Sequence, residues 1–118
     1  MRFHIPIRLQ SLANMSHQHW RKLARLSRKQ KKATARCIHG KEIPPPPLTI
    51  IITRIGPRRL DDDNLASACK YIRDQIATTV GVDDGSPLYT WVYRQRNEGR
   101  GQYGVDVEIT GWNQLEST

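Results

Sequence analysis

Acidic residues are almost missing from the first half of this 118-residue chain: residues 1–60 hold fourteen Lys/Arg against one acid, Glu42. Long apolar runs are missing throughout. Nothing approaches the ~18 consecutive apolar residues of a membrane span, so the expectation is a soluble chain with no membrane partner. The N-terminus, MRFHIPIRLQ, lacks the apolar core and small-residue cleavage site of a secretion signal. Cysteine occurs only at 37 and 69, too sparse and too widely spaced for a disulfide framework or a zinc site. Both read as free thiols in a reducing cytoplasm. Cys37 and His39 flank Ile38, but without a second such pair they read as helix-end residues rather than metal ligands. Aromatics make up only 7% of the chain. Trp20, Trp91, Tyr93 and Tyr103 read as core, with stacking on unpaired bases the alternative.

What is present fits one small domain spanning 1–118: 13.6 kDa, 37% apolar and 25% charged, enough for a single hydrophobic core. The net charge of +8 is split. Residues 61–118 carry five Lys/Arg against ten acids, so the halves stand at +13 and −5. Such a division suggests one surface for a polyanion and, beside it, acids that hold a cation.

The hydropathy pattern predicts β-α-β-α-β-β. RFHIPIRL (2–9) reads as a first strand, with Pro6 marking an edge. Asn14 or Ser16 would cap a helix running from about His17 to Ile38. Its apolar stripe is thin: Trp20, Leu23, Ala24, Leu26, Ala33 and Ala35. The rest of that helix carries Arg21, Lys22, Arg25, Arg28, Lys29, Lys31, Lys32 and Arg36 without an acid. Like charges at i,i+3 and i,i+4 cost a few tenths of a kcal/mol per pair, whereas a solvated face normally mixes signs. A phosphate-binding face explains the run, because each neutralised phosphate adds affinity by counterion release. Gly40 stops the helix, and Pro44–Pro47 is a stiff lead-in to LTIIITRI (48–55), the expected central strand. A second helix, about Asn64 to Val80, has Leu65, Ala68, Cys69, Ile72, Ile76 and Val80 on one stripe and ends at Gly81. LYTWVYRQ and VDVEITGW follow as an expected hairpin, joined by the glycine-rich NEGRGQYG. The fold class expected is therefore α/β (α+β), a small sandwich of helices against a mixed sheet.

Between the central strand and the second helix stands RRLDDDNL. Three adjacent aspartates repel one another. Asp and Asn cap helices well, and acids in a first turn gain roughly 0.3–1 kcal/mol each, which explains one or two of them. If the segment is extended, Asp61 and Asp63 point to one side and Asp62 to the other. Two carboxylates on one side are half of a site for Mg²⁺, which takes one or two protein carboxylates and completes its shell with water and substrate phosphate. A second acidic pair, Asp83-Asp84, follows the helix, whose ~25 Å length separates the pairs unless the chain folds back.

RRLDDDNLASACKYIRDQIA…GVDDG resembles the signature of the RusA family of Holliday junction resolvases, over Arg58 to Asp84: basic residues, D-x-D-N-L opening a helix, and a D-D pair about twenty residues on. The resemblance implies a RusA-like fold and a small dimeric endonuclease of bacteria or phages, acting in the cytoplasm in DNA recombination and repair. It would resolve four-way DNA junctions by paired symmetric nicks. It implies that Asp61, Asp63 and Asp84 bind Mg²⁺, with Mn²⁺ as a substitute. The family's lysine, four residues after the second motif aspartate, is replaced by Ser67, and Lys70 one turn on would take its catalytic role. Arg21, Lys22, Arg25, Arg28, Lys29, Lys32, Arg58, Arg59, Arg94, Arg96 and Arg100 would grip the DNA backbones. The alternative expectation is a branched-DNA-binding protein of the same fold, weakened or silenced in catalysis by the serine.

Overall fold

In the computed structural model, residues 1–12, 20–81, 83 and 85–111 are described. Seven elements run in the order β1 (Arg2–Ile5), α1 (Trp20–Ile38), β2 (Leu48–Ile55), α2 (Asp62–Ala68), α3 (Lys70–Val80), β3 (Tyr89–Arg96) and β4 (Gly104–Gly111). The strands form one mixed sheet in the order β1-β4-β2-β3. β2 is central as expected, parallel to β3 on one side and antiparallel to β4 on the other. The sheet with its packed helices is the small mixed α/β domain that the pattern predicted. No helix among the described residues is long and apolar enough to cross a membrane.

Alternation of side chains builds the core. Ile50 and Ile52 of β2, Val105, Val107 and Ile109 of β4, and Phe3 and Ile5 of β1 point to one face and are buried. Leu65, Ala68, Cys69, Ile72 and Ile76 of the helices close over them. Every residue of the predicted second-helix stripe is in this cluster or packed against it. The helix itself is broken: Cys69, at φ −85° and ψ −1°, divides it into α2 and α3, its N–H shared between the carbonyls of Leu65 and Ala66 at 3.2 Å each. Gly81, at φ 81°, ends α3 in the left-handed conformation that glycine adopts without strain.

Two further expectations are corrected. The first strand stops at Ile5, because Ile7 N–H turns back to the Ile5 carbonyl (2.9 Å) and Pro6 has no N–H to give the ladder. Leu9 is buried nonetheless, held in the core from outside the sheet. The last two strands are not a hairpin. β4 inserts between β1 and β2, and β3 lies beyond β2. The core-facing residues of β4 are the more deeply buried, so β4 takes the interior place and β3, with half-buried Trp91, Val92 and Tyr93, takes the edge. The connection then has to pass the end of β2, and glycines at φ 106° (Gly99) and 80° (Gly101) turn it. The caps proposed at Asn14 and Ser16, and the helix start at His17, lie outside the described residues.

α1 also differs in its buried stripe. Gln30, Thr34 and Ile38 are its buried residues, while Leu23, Ala24, Leu26 and Ala33 are half-buried. Thr34 donates its hydroxyl to the Gln30 carbonyl at 2.8 Å. Gln30 is 1% exposed, and neither polar atom of its side-chain amide has a hydrogen-bond partner among the described residues. A buried amide left unpaired costs about 1–3 kcal/mol. Gln30→Met keeps the length and removes the polar atoms, so it is expected to raise stability by about 1 kcal/mol in chemical denaturation, against no gain for the exposed-site control Lys32→Met.

Candidate functional site

The loop between β2 and α2 carries Arg58, Arg59 and the aspartates, and two side chains hold it. Arg54 is at an inward-facing position of β2 and is only 6% exposed. Its Nε donates to the Leu9 carbonyl at 2.7 Å and its Nη1 to the Arg58 carbonyl at 2.6 Å. Burial pulls its pKa below the usual guanidinium value, an effect opposed by the nearby Cys69 sulfur. Gly56 lies against this group: a Cβ there would meet the Arg54 guanidinium at 3.0–3.2 Å. From the neighbouring strand, Gln95 accepts from Leu60 N–H (2.9 Å) and donates to the Leu60 carbonyl (2.6 Å), a two-point clamp one residue before the aspartates. Neither residue stands out in the sequence except by parity, Arg54 falling in phase with the buried Ile50 and Ile52.

Asp61 is the N-cap of α2. Its backbone is extended (φ −68°, ψ 167°), its Oδ1 accepts Asn64 N–H at 2.9 Å and its Oδ2 accepts the Asn64 side-chain amide at 3.2 Å. Asp62 and Asp63 are already in the first turn. The premise of strand alternation is therefore corrected: β2 ends six residues earlier, and successive side chains at 61–63 follow helical rather than extended geometry. All three aspartates are exposed. Capping accounts for Asp61 by itself, while Asp62 and Asp63 offer free carboxylate oxygens next to it. Hard oxygen ligands of this kind, one or two per ion, fit Mg²⁺.

Asp84 lies outside the described residues. Its neighbour Asp83 is exposed and accepts Gly85 N–H at 3.0 Å in a turn. The Asp83 carbonyl accepts from Ser86, and Ser86 from Tyr89, at the start of β3. Because β3 is parallel to β2, with Tyr89 opposite Leu48, this turn is beside the start of β2, whereas Asp61 is beyond its end. Six residues of β3, about 20 Å at ~3.3 Å each, separate Tyr89 from the Gln95 that clamps Leu60. Among the described residues no three His, Cys, Asp or Glu side chains gather as a metal cluster. Ser67 is exposed on α2 and Lys70 opens α3 across the Cys69 break, its ammonium 6.0 Å from the Tyr71 ring, which Lys31 of α1 also approaches at 6.0 Å.

The proposed DNA-binding cations fall in four places. Arg58, Arg59 and Arg96 line a cleft of about 200 Å³ with Gly56, Pro57, Gln95 and Asn97, next to the aspartates. Arg21, Lys22, Arg25, Arg28, Lys29 and Lys32 are all exposed on the helix layer. Arg94 is exposed on the opposite side of the sheet, and Arg100 in the β3–β4 turn. Trp20 corrects the reading of the aromatics as core: it is 64% exposed, with the Arg21 guanidinium 5.2 Å from its ring and Arg25 and Arg28 sharing its surface. The buried residues of α1 all belong to its second half, so its first turn projects past the core. Trp91 is covered instead by Arg73, 4.8 Å from its ring, which also donates to the Tyr93 hydroxyl at 2.8 Å.

The opposite face of the sheet has its own polar network, which the sequence did not announce. Asp106 Oδ1 is 2.6 Å from His4 Nδ1, and its Oδ2 accepts from Arg96 at 2.6 Å. Burial alone would raise the Asp106 pKa, but the hydrogen bonds from His4 and Arg96 win and lower it. This pairing is complete above the ordinary carboxylate range and is lost as pH falls through the depressed value. The chain matches no protein-family profile, no curated protein and no solved structure.

Two chemical consequences follow from the Arg54 contacts. Removing the guanidinium leaves two carbonyls without donors, so Arg54→Met is expected to cost about 2–4 kcal/mol in urea denaturation. Burial also pushes the Cys69 thiol up to about 12, only partly offset by Arg54. A native-state thiol titration at neutral pH is expected to label half-buried Cys37 and leave Cys69 unreacted until the protein unfolds.

Proposed function

We propose that the chain is a Mg²⁺-dependent endonuclease acting on branched DNA, a four-way junction resolvase of the RusA type. The observation that supports this best is the side-by-side arrangement of an acidic helix start and an arginine-lined cleft on one clamped loop. Arg58 and Arg59, in the cleft they share with Arg96, would seat a backbone phosphate beside the Asp61–Asp63 turn. The outward cations of α1 would supply the longer-range grip, and affinity would fall steeply with salt. On the strength of the resemblance, Asp61, Asp63 and Asp84 would hold Mg²⁺. When bound, the ion supplies an activated water and charge stabilisation at the leaving oxygen. Lys70 would offset phosphate charge, with Ser67 a hydrogen-bond donor in the position of the family's lysine.

A second reading, a branched-DNA-binding protein without cleavage, is favoured by two specific observations. Asn64 occupies both oxygens of Asp61. The Asp83 turn lies at the opposite end of the sheet from the aspartate cap.

Cleavage of a synthetic four-way junction in Mg²⁺, with EDTA and linear duplex as controls, separates the two. The endonuclease reading expects paired symmetric nicks that vanish in EDTA and fall at least ~100-fold in Asp63→Asn. Loss of the same size in Asp84→Asn would bring that residue to the metal, and activity within about twofold of wild type would leave Asp61 and Asp63 as the protein's ligands. Tight junction binding without nicks in any divalent metal would establish the second reading.

A further inference from the structure

Among the described residues, Gln30 alone has side-chain polar atoms that are fully buried and without a hydrogen-bond partner. The hydroxyl one turn on is already committed, since Thr34 donates to the Gln30 backbone carbonyl at 2.8 Å. An apolar side chain of the same length would hold this place at less cost, so packing alone does not account for a glutamine. Gln30 also forms part of the wall of a cleft of about 200 Å³ between α1 and the segment that follows β1. Half-buried Ile7 and Leu26 give the cleft an apolar lining; Arg8, Gln10 and Lys29 complete it and are exposed, with no acid among them. One side of the cleft is fixed. Ile7 N–H turns back to the Ile5 carbonyl, buried Leu9 gives its carbonyl to Arg54, and the Arg8 guanidinium lies 4.8 Å from the centre of the Tyr103 ring.

What the cleft can hold follows from the chemistry of the amide. Its oxygen accepts and its nitrogen donates, side by side. A cation would satisfy only the oxygen, a bare phosphate only the nitrogen, and an apolar group neither. Both are satisfied at once by an edge that carries a donor next to an acceptor. Adenine has such an edge, its N6 amino group beside N7, and is the base that a glutamine pairs with at both points. Size agrees with a single base. The cleft of about 200 Å³ is several times the ~30 Å³ share of one water and smaller than the ~300 Å³ at which cavities for drug-sized ligands begin. Arg8 and Lys29 are two cations at its rim, suited to the phosphate that a base carries on its sugar.

We propose that this cleft binds an adenine nucleotide, its base paired with the Gln30 amide between Ile7 and Leu26 and its phosphate met by Arg8 and Lys29. The amide is shielded from solvent, so the base reaches it as the exposed Gln10 side chain gives way. Hydrogen bonds made there do not compete with bulk water. The same chemistry has two sources: a free mononucleotide, or an unpaired adenine in a DNA strand lying on α1. The second source rests on the branched-DNA reading; the site itself does not. The glutamine that lowers stability in the empty chain would thereby be the group that selects the ligand.

Titration of the ¹⁵N-labelled chain with adenosine 5′-monophosphate, followed by NMR, reads the Gln30 side-chain amide directly. That signal is expected to move and saturate, and Gln30→Met to weaken binding at least ~tenfold through the loss of two hydrogen bonds. Lys29→Met is expected to weaken the monophosphate but not adenosine, while Lys41→Met, exposed beyond the end of α1, changes neither. Ribose 5-phosphate and the guanine, cytosine and uracil monophosphates are each expected to bind at least ~tenfold more weakly, lacking the two-point pair. A Gln30 signal unmoved at about 10 mM nucleotide would overturn the proposal. So would equal affinity in Gln30→Met, a preference for another base, or ribose 5-phosphate bound as tightly, which would reduce the cleft to two surface cations. Fluorescence anisotropy of a four-way junction with one unpaired adenine at its centre, against an abasic residue there, separates the sources. Binding at least ~tenfold tighter with adenine, and not in Gln30→Met, assigns the site to DNA; no difference, with the mononucleotide still bound, assigns it to the free nucleotide. Nucleotide binding by a chain that never cuts a junction would keep the site and reject the endonuclease reading, whereas cutting by a chain that binds no adenine would do the reverse.

Discussion

The buried guanidinium of Arg54 is the constraint on which the rest of this molecule depends. It joins the segment after β1, through Leu9, to the loop after β2, through Arg58, so two stretches distant in sequence are fixed to one cation. A charge at an inward position is costly unless its hydrogen bonds are made. Here they are made by backbone carbonyls that would otherwise lack donors, and the close approach needs Gly56. Gln95 adds the second clamp from β3. The arginines and aspartates of the loop therefore stand on a rigid base although they are themselves exposed. That is the order of construction expected of a site: exposed charged tips on a support fixed by packing and satisfied hydrogen bonds.

Charge is arranged around this support in layers. The cations of α1 lie above the core, the arginine cleft and the aspartate cap lie at the C-terminal ends of β2 and β3, and the His4–Asp106 pair lies on the far side of the sheet. A nucleic acid lying on α1 could not also touch the far face, since the whole core stands between. Exposed Trp20 beside Arg21 places an aromatic plane among the cations of the helix layer.

Most of the elements, though not the end of β1 or the break at Cys69, were legible in the sequence together with the chemistry available to them. The 48–55 strand, the apolar stripe from Leu65 to Val80, the stop at Gly81 and the capping capacity of Asp61 follow from periodicity and local backbone preference, which act within a few residues. So does the basic character of α1. Tertiary structure decided where each of these went. The strand order could not be read, because pairing of β4 with β1 and β2 depends on which faces are left to bury after the helices pack. The aspartates changed geometry for a similar reason: the loop clamped by Arg54 and Gln95 delivers Asp61 directly to a helix cap, so Asp62 and Asp63 are helical. The separation of the Asp83 turn from that cap comes from the parallel β2–β3 pairing alone. Arg54 itself carries the distinction. Its inward parity was visible in LTIIITRI, but only the fold supplied the two carbonyls that make a buried charge tolerable.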